Sequence, residues 1–165
     1  MGKAKILIVE DDPFSVQLLR HNLKNYAADI LPVASTAADA LKIALEYEPD
    51  VALVDIYLTG ESDGLEAAKA IQEHFDIPII YLTGYSSDEV FESAKATDPF
   101  GYILKPFTPK ELMVTLDMAL YKHAIAKELR ASKAVLSMTL ESLTEAVVTT
   151  DADWKVIYAN PVAKK

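Results

Sequence analysis

The sequence contains no cysteine, which excludes disulfide bonds and thiolate metal sites and suits a reducing compartment. It also lacks any apolar run near the roughly 18 residues that a membrane-spanning helix needs, and the run at 6–9 is too short for a signal peptide. A Gly-rich phosphate loop of the P-loop type is missing, so ATP is not expected to be the direct phosphoryl donor. These absences predict a soluble, cytoplasmic protein with no membrane contact in this part.

Basic residues are scarce. The 165 residues include 25 acidic and 16 basic ones, a formal net charge of −9. Residues 1–122 hold 20 acidic and 10 basic side chains, whereas residues 123–165 hold 5 and 6. Nucleic-acid surfaces need clustered Lys and Arg, so no nucleic-acid partner is expected, and the basic output domain of a DNA-binding regulator is absent. A cluster of carboxylates can instead hold Mg²⁺.

The remaining composition is that of a globular protein, with 51 % hydrophobic and 25 % charged residues, and the length fits one ordinary domain plus a remainder. Apolar runs typical of buried strands alternate with segments of helical periodicity. Such an alternation predicts an α/β fold with a doubly wound, five-stranded parallel sheet. We predict strands at 5–9, 30–34, 51–54, 78–82 and 101–104, and helices that start near Pro13, Ala37, Leu65, Ser86 and Pro109.

Polar side chains gather where the predicted strands end, which in a parallel sheet is one edge and the usual place for a ligand. Carboxylates brought together there repel each other unless a divalent cation or Lys105 lies between them. A carboxylate nucleophile with a metal, a lysine and a hydroxyl suits phosphoryl transfer to an aspartate. The side chains at these strand ends are Glu10, Asp11, Asp12, Asp55, Thr83 and Lys105.

Four motifs carry a resemblance to a known family. They read VEDD at 9–12, VDIYLTGESDGLEA at 54–67, IPIIYLTG at 77–84 and FGYILKPF at 100–107. In this order they resemble the receiver domain of two-component signalling over about residues 4–122. The resemblance implies a flavodoxin-like fold and a phosphorelay role, in which a phosphohistidine-bearing kinase or phosphotransfer domain supplies the phosphoryl group.

The resemblance also assigns roles. It implies Asp55 as the phosphoacceptor. It implies a Mg²⁺ site formed by Glu10, Asp11, Asp55 and the backbone carbonyl of Tyr57. Thr83 matches the switch hydroxyl, and Tyr102 matches the aromatic switch. Lys105 matches the lysine that contacts the phosphoryl group, and Pro106 matches the cis-proline after it.

Some positions depart from the usual pattern. The loop after Asp55 is longer than the common form, and Gly84 stands where Ala is usual. Asp12 is a third acid, which we expect to be solvated or to cap the first helix rather than bind metal. The three histidines lie on helical stretches without a paired ligand, so we interpret them as surface residues. They are His21, His74 and His123.

The helix that starts at Pro109 is expected to continue beyond the receiver, whose predicted extent is 1–122, as a connecting helix over 123–142. No Gly or Pro interrupts the sequence between Pro109 and Pro161. The apolar residues of this connecting helix can pack on their own domain, or they can form a parallel two-chain coiled coil and so a homodimer. The apolar residues near heptad spacing are Ile125, Leu129, Leu136, Leu140 and Leu143.

The final residues, 143–165, contain two β-rich runs at 146–150 and 155–159 around Asp151–Trp154, which predict a hairpin. This segment resembles the opening of a PAS sensor domain, although Trp154 stands where Gly is common. The resemblance implies the N-terminal part of a receiver–PAS sensor histidine kinase. We expect no turnover reaction in this part beyond self-phosphorylation of Asp55.

Other functions fit less well. A stand-alone receiver could act as a protein-interaction module. An FMN-binding flavodoxin-like protein would need a polar, Gly-rich phosphate loop after the first strand, where Glu10, Asp11 and Asp12 would repel phosphate. A hydrolase of the aspartyl-phosphate type would carry a second Asp two residues after the nucleophile, where this sequence has Tyr57.

Overall fold

The computed structural model describes residues 3–58, 64–84, 97 and 99–164. The chain divides into two compact units, the first ending at His123 and the second beginning at Ala124. None of the helices in the described ranges is both long enough and apolar enough to cross a membrane.

A five-stranded parallel sheet in the order β2-β1-β3-β4-β5 forms the first unit. This is the flavodoxin-like topology of a doubly wound sheet, and it confirms the predicted fold. The strands are β1 (Ala4–Val9), β2 (Ala28–Ile30), β3 (Val51–Asp55), β4 (Ile79–Thr83) and β5 (Gly101–Leu104). The helices are α1 (Pro13–Asn22), α2 (Ala37–Tyr47), α3 (Gly64–Gln72) and α4 (Pro109–Ser142), and α4 continues into the second unit.

The sheet is covered on both faces because alternate strand residues point to opposite sides. Leu7, Val54 and Tyr81 face a layer that includes α2 and α3. Ile8 and Leu53 belong to the opposite layer, which α1 and α4 complete with Leu19, Leu112 and Leu116. Of the three inner strands, β3 and β4 are buried along their whole length, as the continuous apolar runs predicted.

Two predicted elements are not reproduced as predicted among the described residues. The second strand was predicted at 30–34, but β2 spans Ala28–Ile30, and Ala34 makes only an isolated bridge to Val9. The N–H of Leu31 donates to the carbonyl of Ile6, but the next donor to β1 is Ala34 rather than residue 33, so the ladder slips by one residue around Pro32 and the predicted bounds were wrong. The helix predicted at 86–97 lies outside the described residues except for Thr97, which lies in a turn.

Polar side chains start the helices as their sequence positions indicated. The Asp12 carboxylate accepts from the backbone N–H of Ser15 at 2.8 Å and caps α1, with Pro13 in the first turn. Thr36 caps α2 by accepting from the N–H of Asp39 at 3.1 Å. Asp12 therefore has the capping role predicted for it.

His123 corrects one prediction. It was interpreted as a surface residue, but its side chain is only 12 % exposed. Its ring packs edge-on against Phe100 with centroids 5.4 Å apart, and its Nε2 lies 3.9 Å from Asp76 Oδ1. The reason is helical phase, because position 123 lies one turn after the buried Ala119 on the inward face of α4. His21 and His74 are exposed as predicted.

The second unit contains the end of α4 and an antiparallel hairpin of β6 (Val148–Thr150) and β7 (Val156–Ala159). The Asp151 carboxylate shapes the turn by accepting from the N–H groups of Asp153 and Lys155 at 3.0 and 2.9 Å. Trp154 adopts a positive φ of 63°, which explains why glycine would suit this position. The predicted hairpin is confirmed.

Candidate functional site at the carboxyl edge of the sheet

Parallel pairing brings the predicted strand-end residues to one edge of the sheet. Glu10 directly follows β1, Asp55 ends β3, Thr83 ends β4 and Lys105 directly follows β5. The Lys105 ammonium lies 2.7 Å from Glu10 Oε2 and 2.7 Å from Asp55 Oδ2. Residues separated by 50 and 95 positions in the sequence therefore share one ion-pair cluster.

The cluster is largely removed from water. The Glu10 side chain is 1 % exposed, that of Asp55 is 10 % exposed and that of Lys105 is 26 % exposed. Burial raises the pKa of Glu10 above its ordinary value, and the nearby charge of Asp55 adds to this increase, while Lys105 opposes it. Burial alone would lower the pKa of Lys105, but its hydrogen bonds to Asp55 and Glu10 outweigh this effect and raise it. Two carboxylates on one ammonium leave excess negative charge at this edge.

Backbone contacts fix the position of Asp55. Its Oδ1 accepts from the backbone N–H of Tyr57 at 3.2 Å, so both carboxylate oxygens are engaged. The N–H of Ile56 donates to the carbonyl of Leu82 on β4 at 3.1 Å, which extends the strand pairing past Asp55. These contacts hold the carboxylate at the edge rather than leaving it on a free loop.

Gly64 is a positioning residue that the sequence reasoning did not single out. A Cβ built at this glycine would lie 1.8 Å from the backbone oxygen of Asp55, so no other residue fits without moving the β3 end. The N–H of Gly64 also donates to the carbonyl of Ile56 at 3.1 Å. The only sequence signal was the Asp63-Gly64 pair that ends the loop.

Thr83 and Tyr102 occupy neighbouring strands near the ion-pair cluster. Thr83 is buried, and its hydroxyl donates to the carbonyl of Gly84 at 3.0 Å. Its own carbonyl accepts from the N–H of Lys105 at 2.7 Å, which ties the ends of β4 and β5 together. Tyr102 is half-buried and pairs in register with Tyr81, with ring centroids 5.9 Å apart. The Lys105–Pro106 peptide bond is cis.

The residues predicted to hold Mg²⁺ have the right chemistry but are not arranged as a cation cage. Within the part of the chain that the structure describes, no three His, Cys, Asp or Glu side chains form a group that could hold a metal ion. Two of the predicted ligands, Glu10 and Asp55, converge on the Lys105 ammonium, while Asp11 is half-buried nearby in sequence. The oxygen donors and the uncompensated negative charge still fit a hard divalent cation.

An apolar hollow of about 330 Å³ lies beside the ion-pair cluster, between α1 and the segment after β5. Phe14 and Leu18 of α1 are 74 % and 39 % exposed at this place. Lys105, Pro106 and Phe107 contribute the other wall. An exposed apolar surface next to a charged cluster is typical of a protein contact site.

Comparison with known proteins identifies the family of this chain. The family described as response regulator receiver domain matches residues 6–117, and the chain belongs to this family. It is 32 % identical over 131 residues to the phyllosphere-induced regulator PhyR of Methylorubrum extorquens, covering 79 % of this chain and 48 % of that protein. The chain thus spans about half the length of this curated relative.

Solved structures agree as well. The signal receiver domain of a modulated diguanylate cyclase from Desulfovibrio desulfuricans G20 is 35 % identical with a TM-score of 0.72, covering 76 % of this chain and 99 % of that one. The N-terminal domain of a response regulator/sensory box/GGDEF three-domain protein from Carboxydothermus hydrogenoformans is 32 % identical with a TM-score of 0.67, covering 74 % and 98 %.

Proposed function

We propose that this member of the receiver family is a phosphoacceptor module that takes a phosphoryl group from a phosphohistidine onto Asp55. The observation that carries the proposal is the buried ion-pair cluster, in which Asp55 shares the Lys105 ammonium with Glu10 at 2.7 Å each. A buried carboxylate next to a fixed cation has the parts that phosphoryl transfer to an aspartate requires.

In the proposed step, an Asp55 carboxylate oxygen attacks phosphorus and a new O–P bond forms. The P–N bond to the donor imidazole breaks, and the nitrogen keeps the electron pair. Lys105, which already contacts Asp55 Oδ2, would move its contact to a phosphoryl oxygen. Thr83 would turn its hydroxyl from the Gly84 carbonyl toward the same group, as the switch hydroxyl of the proposal.

Glu10, Asp11, Asp55 and the carbonyl of Tyr57 are the groups that would hold Mg²⁺. When bound, the ion would neutralise charge on the transferring phosphoryl group. The excess of two buried carboxylates over one ammonium supports this assignment, because a further cation would balance the edge.

The donor is proposed to be a kinase or phosphotransfer domain that docks beside Asp55. The apolar hollow formed by Phe14, Leu18 and Phe107 supports a protein donor, because a small phosphodonor would need no apolar surface of this size. Its wall includes Lys105, so a protein seated there would reach the acceptor cluster.

The output is proposed to pass through Tyr102 and α4 to a homodimer and a downstream sensor module. The proposed division is a receiver over 1–122, a signalling helix over 123–142 and the start of a PAS domain over 143–165. The hairpin after α4 supports a further domain, because two strands alone are not stable. A relative described as response regulator/sensory box/GGDEF supports a receiver joined to a sensor. The parent would be a cytoplasmic sensor histidine kinase.

The test is incubation with acetyl phosphate and Mg²⁺ followed by intact mass measurement. We expect one added phosphoryl group in the unmodified chain and none in Asp55→Asn, which keeps the shape of the side chain without its negative charge. Asp39→Asn is the matched control, because Asp39 is an exposed carboxylate in the first turn of α2. Phosphorylation that survives in Asp55→Asn, or that is absent from the unmodified chain, would overturn the proposal.

A further inference from the structure

The second half of α4 presents a regular apolar stripe to solvent. Ile125, Leu129 and Leu136 are 46 %, 68 % and 59 % exposed. With Ser132 and Thr139 they follow alternating steps of four and three residues, which is the a/d spacing of a coiled coil, whereas Leu140, which the sequence also placed near this spacing, falls on the neighbouring e position. The Thr139 hydroxyl donates to a carbonyl one turn earlier at 2.9 Å, so its methyl group is left for packing.

An open hollow of about 290 Å³ lies on this stripe and is lined by Ile125, Glu128, Leu129 and Ser132. If Leu129 is an a position, these residues are the d, g, a and d positions of consecutive heptads. In a coiled coil, four residues of one helix surround each side chain that enters from the facing helix. The four residues that line this hollow are therefore the set that would surround one side chain of a facing helix. In a parallel, in-register pair that side chain would be Leu129 of the second copy.

Charge decides the direction of pairing. Glu128 occupies a g position and Lys133 the following e position, and both are exposed. In a parallel, in-register pair Glu128 of each copy faces Lys133 of the other, which gives two attractive contacts. An antiparallel pair matches g with g and e with e, so like charges would approach each other.

We propose that a second copy of this chain packs on this stripe as a parallel, in-register coiled coil, with Leu129 as its central packing residue and reciprocal Glu128–Lys133 pairs. The inference rests on the homodimer of the proposed function and on the parallel pairing expected from the sequence, and it adds the register and the residues that meet across the pair. The near-neutral composition of residues 123–165, with 5 acidic and 6 basic side chains, allows two copies to approach without strong repulsion.

Charge reversal tests the direction. Sedimentation equilibrium at low ionic strength, with and without acetyl phosphate and Mg²⁺, measures the dimer dissociation constant. We expect Glu128→Lys and Lys133→Glu each to weaken the dimer by on the order of tenfold, because two exposed pairs become repulsive. The double variant should return to within about threefold of the unmodified chain. Glu141→Lys and Lys127→Glu are the matched controls, because both positions face away from the stripe.

A second experiment tests the register. The chain has no cysteine, so a single introduced thiol reports on one position. Ser132→Cys, at a d position, should cross-link two copies on mild oxidation, because facing d positions bring Cβ atoms close enough for a disulfide. Ala134→Cys, at the outward f position, should cross-link far less under the same conditions.

The outcomes separate this inference from the phosphoacceptor proposal. A monomer at high micromolar concentration under both conditions would overturn the inference, and modification of Asp55 in the same samples would leave the proposed phosphotransfer standing. A dimer that ignores both charge reversals, or that cross-links equally at 132 and 134, would overturn the parallel, in-register arrangement. Loss of helix content by circular dichroism would identify any variant that weakens the dimer by unfolding α4.

Discussion

Replacing Lys105 by Met tests whether one ammonium holds the carboxyl edge together. The substitution keeps an unbranched side chain but removes the charge that lies 2.7 Å from both Glu10 and Asp55. Breaking a buried ion pair from one side costs about 3–5 kcal/mol, because the remaining charge loses its partner. Lys105 is 26 % exposed, and water can replace part of its contribution, so we expect a loss of about 2–3 kcal/mol in the free energy of unfolding near neutral pH.

The loss should depend on pH in a defined direction. The pKa of Glu10 is raised in the folded chain, first by burial and then by the charge of Asp55, and Lys105 opposes the increase. Without Lys105 the pKa of Glu10 rises further, so the folded variant binds a proton more tightly than the unfolded chain. Stability then falls as pH rises from the unfolded pKa of Glu10 through its folded pKa. The difference from the unmodified chain should therefore shrink at acidic pH, where Glu10 is neutral.

Urea unfolding followed by far-ultraviolet circular dichroism at a series of pH values measures this difference. Tryptophan emission is unsuitable, because the single tryptophan, Trp154, lies in the hairpin of the second unit. Lys42→Met on the exposed face of α2 is the matched control and should change stability by less than about 0.5 kcal/mol. An equal loss at acidic and neutral pH, or no loss at all, would refute the reasoning about the cluster.

Three further substitutions have clear expected results. Gly64→Ala should lower the thermal midpoint strongly and abolish labelling of Asp55 by acetyl phosphate, because the new Cβ would lie 1.8 Å from the Asp55 backbone oxygen. We expect the free energy of unfolding to fall by at least about 2 kcal/mol. Gly84→Ala should change the thermal midpoint little, because a Cβ there meets no atom of the described residues within 4 Å; a large drop in the midpoint would contradict this. Asn160→Ala removes a fully buried amide that accepts from the N–H of Val147 at 3.0 Å and donates to the carbonyl of Glu145 at 2.8 Å, so we expect the Val147 amide proton to exchange faster with solvent while the thermal midpoint of the receiver stays the same. Unchanged exchange at Val147 would contradict this role.

Much of the fold was predictable because the receiver sheet is buried on both faces. The runs at 51–54 and 78–82 are apolar without interruption, and the structure buries every residue of β3 and β4. The edge strand was less predictable. β2 has only three residues and a single neighbouring strand, so local preference around Pro32 could not fix its register.

The candidate site was predictable in its residue types but not in its contacts. Strand ends showed which polar groups share an edge, yet the position of the Lys105 head depends on four rotatable bonds and on packing after β5. The sequence therefore suggested Mg²⁺ or Lys105 between the carboxylates, and the structure has Lys105 there. His123 was misjudged because histidines on helices are usually exposed, although its spacing of four residues from the buried Ala119 places it on the inward face of α4, against Phe100.

The shared ammonium also implies how phosphorylation would act on this edge. Asp55 contributes about one negative charge, whereas a phosphoryl group carries about −1.5 to −2 near neutral pH. Lys105 would then favour the phosphoryl oxygens over Glu10, and Glu10 would lose the partner that now opposes the rise in its pKa. A buried carboxylate without a positive partner must bind a proton, bind a cation or shift toward water, and this applies to Glu10. We therefore expect the Lys105–Glu10 contact at 2.7 Å to be lost, together with the Lys105–Asp55 contact, when Asp55 is modified.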